Sequence, residues 1–385
     1  MLNPPRRYIF NANQIATLEP HIAAISDLKN SSFFKPLQGG ANLVKARVLV
    51  ERYRDRGIGD LLFLTGPLNF IQHVSGGECT LDVYTLTDRG QIIADHPAIS
   101  NRTPLAGPVH YDDLKLYQYH WFIDTVTEYD EEAEQLNVYD ALYQSIGIDP
   151  KTVDPRFKRP TASIADKEWK NLDSLFYFVW LDKKIDLRRV PYYVVAPHSH
   201  SSLRSAPYSL WVKVISELAK TRPVVVIGHV MEGRMPATDM SFGAFNQQIS
   251  GMGGGVINLM GGTPIRLMMA LIARSTAVVC LDSGPLYIAQ AFRVPAVSVW
   301  GPHHPGVRIG YDRAYMDLAV WNKEACVQSP CFAYSHFPAH KCPQGAGQTV
   351  CEVLSMTEPK QILDKIAKLE NDTASPFKSY QAAKA

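Results

Sequence analysis

Between residues 191 and 300 the chain alternates short, continuously apolar runs with amphipathic helical stretches. The runs YYVVAP, PVVVIG, VINLMG, AVVCL and AVSVWG read as strands, and SLWVKVISELAK, FGAFNQQISG, IRLMMALIAR and LYIAQAF fall between them as helices. Strands apolar along their whole length are buried on both faces, and strands joined through helices must run parallel. This half therefore reads as a doubly covered α/β sheet.

The first half is less regular but begins the same way. ARVLVERY from Ala46 reads as a strand, RDRGIGDLL leads from it, and LFLTGPLNFIQHV is a helix that Gly66-Pro67 is expected to break or kink. TLDVYTL is a second strand, QIIADHPAI a helix with a turn, and LKLYQYHWF further strand. Residues 124–147 read as an acidic helix pair stopped at Gly147, and a short helix is expected around Asn13 to Leu28, followed by the turn-rich SSFFKPLQGGAN. The expected organisation is an N-terminal extension over 1–45, an α/β domain over 46–185, a second over 186–356, a helix over 357–371 and a disordered tail over 372–385.

At 385 residues the chain has room for two domains, and 39 basic against 37 acidic residues leave a net charge of only +2. Nucleic acid is not indicated by that balance. The N-terminus lacks a signal-peptide pattern and no stretch reaches membrane-spanning length, so a cytoplasmic protein is expected, with peripheral contact at the inner membrane left open. Four of the six cysteines, Cys326, Cys331, Cys342 and Cys351, share one stretch whose spacing lacks the tight pairs of zinc ribbons, and reduced, loop-stabilising thiols are expected.

The residues most suggestive of chemistry are CLDSGPLYIAQAFRVPAVSVWGPHHP at 280–305. A buried strand runs into Asp282-Ser283-Gly284-Pro285 and then a helix. Gly284 permits a tight backbone path and Pro285 suits the first helical turn, where a missing N–H costs little. The unpaired first-turn amides and the positive end of the helix dipole make such a turn an anion site.

Taken together, Asp282, Ser283, Gly284, Ala289, Pro295, Gly301 and Pro302 resemble the nucleotide-sugar motif of glycosyltransferase family 9, the ADP-heptose:lipopolysaccharide heptosyltransferases. The sequence departs from that motif at Tyr287, where the family usually has His. The cysteine-rich stretch resembles the one near the end of heptosyltransferases, and Gly57-Ile58-Gly59-Asp60 ahead of Gly66-Pro67-Leu68 resembles the family's N-terminal element. The resemblance covers about residues 46 to 370 by order of motifs. It implies a GT-B fold: two Rossmann-like parallel-sheet domains facing a cleft, with a C-terminal crossing helix.

It also implies roles. Asp60 becomes the catalytic base of an inverting transfer, taking the acceptor hydroxyl's proton as its oxygen attacks the anomeric carbon, while Gly57 and Gly59 shape the loop. Arg204 falls where the family's Lys contacts the donor phosphates, and Ser201 and Ser202 add hydroxyls beside it. Glu232 is the candidate for the ribose hydroxyls, and Gly261 and Thr263 for the base or ribose. The charge of Asp282 would repel a diphosphate, so that residue is assigned to sugar hydroxyls or a helix cap. The amides of Ser283, Gly284 and Leu286, with Arg204, then stabilise the departing phosphate.

The chain has no D-x-D motif, and no metal or other cofactor is expected. The implied partners are a nucleoside-diphosphate sugar, heptose or related, and a hydroxyl-bearing acceptor in lipopolysaccharide or other glycan assembly. Open alternatives are a protein or modified nucleic-acid base as acceptor, a sugar-nucleotide epimerase, and a non-catalytic GT-B binding module.

Overall fold

Among the described residues of the computed structural model every strand pairing is parallel, as continuous apolar runs demand. The structure describes residues 35–36, 43–52, 57–85, 88–104, 116–122, 136–166, 168–170, 173, 185–199, 201–229, 239–331, 342, 351–372 and 377. They divide into two units, Met1–Ser163 and Ile164–Ala385.

Among the described residues the first unit has five strands: β1 (Lys35–Pro36), β2 (Arg47–Arg52), β3 (Thr80–Thr85), β4 (Asn101–Pro104) and β5 (Tyr119–Phe122), in the order β1-β5-β2-β3-β4. Val48, Leu49 and Val50 are fully buried, so β2 forms the centre of the sheet. The chain steps from β2 to β3 and β4 on one side and returns to β5 on the other. Beside β2, therefore, the strand order reverses. Helix α1 (Ile58–Val74) opens just after β2 and runs unbroken through Pro67, where a break or kink was expected. The neighbouring segment packs so closely on this stretch that a Cβ on Gly66 would lie 2.4 Å from the Phe157 carbonyl oxygen.

One further expectation for this half is corrected. QIIADHPAI is not a regular helix, because a 3-10 segment over Asp88–Ile93 is followed by turns. In the acidic stretch the described helix is α2 (Val138–Ser145), capped by the Asn137 side chain on the Tyr139 amide and followed by Gly147 at φ 73°. Within the extension, Lys35–Pro36 pairs with Tyr119 and His120 along the outer edge of β5. The helix expected around Asn13 to Leu28 lies outside the described residues.

The second unit has six described strands, β6 (Tyr193–Ala196), β7 (Val224–Val226), β8 (Val256–Asn258), β9 (Ala277–Leu281), β10 (Ala296–Val299) and β11 (Ala319–Val320), in the order β11-β10-β9-β6-β7-β8. Numbered from β6, this is the doubly wound order 3-2-1-4-5-6, whose reversal falls between β6 and β9. The covering helices are α3 (Tyr208–Leu218), α4 (Phe242–Gly251), α5 (Ile265–Arg274) and α6 (Gly284–Ala291). Shorter helices α7 (Gly306–Ile309), α8 (Arg313–Met316) and α9 (Glu352–Ser355) follow, and α10 (Pro359–Asn371) closes the series. Helix α10 begins with a capping box of Glu358 and Gln361 and packs against α3, and Glu370 pairs with Arg222 at 3.1 Å.

Two boundaries differ from expectation. The second unit begins at Ile164 rather than 186, because Glu168 pairs with Arg266, and Asp173 with Arg274 at 2.5 Å, both arginines lying on α5. Nor is the tail wholly disordered: Phe377 is 3% exposed and meets the Tyr315 ring edge-on with centroids 5.2 Å apart. No helix among the described residues is long and apolar enough to cross a membrane.

Candidate active site

The two loops singled out in the second half leave the carboxyl ends of β6 and β9, the adjacent strands at the reversal of the sheet. Ala196 lies in register with Cys280, and Leu281 with Val299, so the segments after β6, β9 and β10 emerge at one level. Ligands of open α/β sheets bind at such a crevice.

Asp282 is the centre of what they bring together. It is 3% exposed, and its Oδ1 accepts a hydrogen bond from the Tyr287 hydroxyl, one turn along α6. Its Oδ2 lies 3.3 Å from His303 Nδ1 and 3.6 Å from Arg204 Nη1. Arg204 Nη1 also approaches the Asp282 carbonyl at 3.4 Å. Arg308, on α7 and 7% exposed, adds its charge to the same carboxylate.

Burial works against the charge of Asp282, but the His303 hydrogen-bonding contact and the fields of Arg204, His303 and Arg308 outweigh it and hold the carboxyl well below the usual carboxylate range. Burial lowers His303 to about 4 despite the neighbouring carboxylate, so its imidazole is neutral at pH 7. Burial, with the Asp282 charge next, drives the Tyr287 phenol well above its ordinary value. Two guanidinium groups thus act on one carboxylate.

This arrangement corrects the helix-cap assignment for Asp282. Its Oδ1 accepts from Tyr287 and its Oδ2 faces His303 and Arg204, while the N-cap of α6 is Ser283. The Ser283 side chain does not cap the helix either, since its hydroxyl bonds to the Leu281 carbonyl at 3.3 Å. Gly284 opens α6, with Pro285 in its first turn as expected. Leu286 drops out as an anion ligand because its amide already donates to the Ser283 carbonyl at 3.0 Å.

Arg204 ends a 3-10 turn over Ser202–Arg204. Ser201 is fully buried, and its carbonyl accepts from the Arg204 amide at 3.1 Å and from the Ser205 hydroxyl at 2.9 Å. Its carbonyl thus helps build the loop that carries Arg204, and the Ser202 side chain lies outside the described residues. Gly301 lets the loop approach β10, since a Cβ there would sit 3.1 Å from the Leu203 carbonyl oxygen.

The loops after β7 and β8 are joined to one another. Gly261, at φ 79°, donates its amide to the Gly228 carbonyl at 2.8 Å, and Thr263 bonds to the Leu259 carbonyl at 2.6 Å. Beside them His198 packs among Tyr208, Phe242 and Phe245, its Nε2 3.2 Å from Met260 Sδ. Glu232 lies outside the described residues.

In the first unit Asp60 sits in the first turn of α1, beside the reversal of that sheet. Its Oδ2 lies over Gly57, where a Cβ would come within 3.0 Å, so Gly57 leaves room for the carboxylate. Gly59 is buried in the same turn. Sequence reasoning missed His303 and Arg308; the available signal was their position just past WGP at the end of β10, level with the turn after β9.

The thiols of Cys326 and Cys331 lie near enough to Cys351 to act on it electrostatically, while burial is the main cause that pushes the Cys351 thiol up to about 11. Among the described residues no group of three or more His, Cys, Asp or Glu side chains is placed to hold a metal ion.

Residues 128–336, more than half of the 385-residue chain, match glycosyltransferase family 9 (heptosyltransferase). The chain belongs to that family. It is therefore a glycosyltransferase, and the cluster at Asp282 falls within the matched residues. Solved structures share the fold. A family 9 glycosyl transferase from Veillonella parvula superposes with a TM-score of 0.59 at 13% identity, over 86% of this chain and 98% of the other. The iron-containing dodecameric glycosyltransferase TibC from enterotoxigenic E. coli gives 0.59 at 17% identity, over 86% and 80%. E. coli ADP-heptose lps heptosyltransferase II gives 0.56 at 13%, over 84% and 98%. No curated protein matches this chain by sequence.

Proposed function

We propose that this family 9 enzyme transfers a sugar of the heptose class from a nucleoside-diphosphate donor to a hydroxyl of a growing glycan, with inversion and without a metal. The observation that carries the reading is the convergence of Arg204 and the Asp282–Gly284 turn at the carboxyl ends of β6 and β9, with the Arg308 charge acting on the same carboxylate. A structure of the similar TibC is described in complex with ADP-D-beta-D-heptose, which supports a donor of that class.

In this mechanism Asp60 accepts the proton of the acceptor hydroxyl as its oxygen attacks the anomeric carbon. The bond from that carbon to the diphosphate breaks on the opposite face. The nucleoside diphosphate leaves with the bonding electron pair, and the proton remains on Asp60. The growing negative charge is met by the Arg204 guanidinium and the positive end of α6, preorganised donors of the kind that stabilise charge only as it develops. These fixed cations can do for the diphosphate what a divalent metal does elsewhere, which supports metal independence. The loops after β7 and β8, with His198 and Met260 between them, suit the nucleoside.

The test is nucleoside-diphosphate release from a panel of donors that includes ADP-heptose, in chelator, with Asp60→Ala as control. The proposal expects release from a heptose-class donor that survives chelation and is lost in the variant. Equal release by Asp60→Ala would remove the base assignment, and loss in chelator would remove metal independence.

A further inference from the structure

Tyr287 stands where family 9 motifs usually have His, and the phenol contributes something specific to the buried cluster. Its ring is 4% exposed within α6, and its hydroxyl is the hydrogen-bond donor to Asp282 Oδ1. The other carboxylate oxygen has looser neighbours, His303 Nδ1 at 3.3 Å and Arg204 Nη1 at 3.6 Å, each farther off than in an ordinary charge-assisted hydrogen bond. The phenol is thus the strongest constraint on how the carboxylate is turned about its Cβ–Cγ bond. A hydrogen bond to a charged oxygen is short and directional, whereas a charge at 3.6 Å attracts without fixing an angle.

Arg204 depends on that orientation. Its Nη1 faces the Asp282 carbonyl oxygen and Oδ2 together, so a rotation of the carboxylate moves an acceptor that helps aim the guanidinium. With its side chain 21% exposed, Arg204 is the most accessible of the charged groups in the cluster. We infer that Tyr287 is a positioning residue for the donor diphosphate, acting through Asp282 to aim Arg204. The inference rests on the donor site proposed above. A neutral phenol fits this role better than a cation would, because it fixes the carboxylate without cancelling its charge, leaving Asp282 free to orient the arginine.

The test is a double-mutant cycle read by calorimetric titration with ADP, GDP, UDP and inorganic pyrophosphate, using the full chain. Wild type, Tyr287→Phe, Arg204→Ala and the double variant are compared. Tyr287→Phe is expected to weaken diphosphate binding about 10-fold in the wild-type background and by less than about 2-fold when Arg204 is already absent. Tyr287→His, which can return a donor to Oδ1, is expected to recover most of the loss. Circular dichroism checks that each variant is folded, and a misfolded Tyr287→Phe leaves Tyr287→His against wild type, with and without Arg204, as the comparison that decides. A purely structural tyrosine gives the same loss in both backgrounds, which overturns the inference while the donor site stands. Failure of wild type to bind any of the four probes overturns the donor site and the inference with it.

Discussion

Replacing Asp282 with asparagine isolates the charge of the cluster from its shape. The Asp282→Asn side chain keeps nearly the same volume and can still accept the Tyr287 hydrogen bond, but Arg204 and Arg308 lose the anion on which both act. Asp282 is 3% exposed and Arg308 7%, so water screens the loss poorly. Removing one partner of a buried ion pair typically costs about 3–5 kcal/mol, because the remaining charge stays desolvated. Against a stability on the order of 5–15 kcal/mol this is a large fraction. With a urea dependence of about 2 kcal/mol per molar, the unfolding midpoint of the second unit should fall by about 2 M. Trp211 and Trp300, both fully buried there, report it by fluorescence. A nucleoside diphosphate should restore part of the loss by supplying the missing negative charge. A midpoint that moves by less than about 0.5 M, a change on the order of 1 kcal/mol, would refute the reasoning by showing that the two guanidinium groups do not depend on the carboxylate.

Two further outcomes follow from particular contacts. Gly301→Ala sets a Cβ 2.8 Å from Leu354 Cδ1 and 3.1 Å from the Leu203 carbonyl oxygen; it should cost about 1–3 kcal/mol and, by shifting the loop that carries Arg204, weaken nucleoside-diphosphate binding, so unchanged affinity would show that the Leu354 side chain gives way instead. His96, buried in the first unit, is lowered by burial from 6.5 to about 4, so between those values the unfolded chain holds more protons. Stability present above pH 6.5 is therefore lost as pH falls towards 4, by about 3 kcal/mol, and His96→Gln should flatten that slope in acid denaturation of the unit. An unaltered slope would place the acid sensitivity in another group.

The alternating second half was legible because each strand and helix there declares itself locally. Burial on both faces makes the strands apolar throughout, and the covering helices carry their own period. The Asp282–Pro285 turn was legible for the same reason, since Gly and Pro mark it within four residues. The cluster around it was not. Arg204 lies 78 residues before Asp282, and only the 3-2-1-4 strand order sets their loops side by side. His303 and Arg308 arrive from beyond the next strand, so their partners depend on register rather than spacing.

The same distinction explains the boundary and edge elements. The start of the second unit is fixed by ion pairs between Glu168 or Asp173 and arginines about a hundred residues later, which no local composition announces. Lys35–Pro36 joins a sheet through backbone pairing at an open edge, for which its turn-rich surroundings give no signal. Pro67 stays within a helix because the surrounding unit packs closely on that turn, overriding the ordinary cost of proline.

The central claim is that Arg204 and the turn after β9 hold the diphosphate of a sugar donor. Titration of the wild-type protein and Arg204→Ala with nucleoside diphosphates tests it most directly. Wild type should bind, and binding should weaken by about 10- to 100-fold in the variant, the loss of a charge-assisted contact of roughly 1.5–3 kcal/mol. Equal affinity in the two proteins would contradict it.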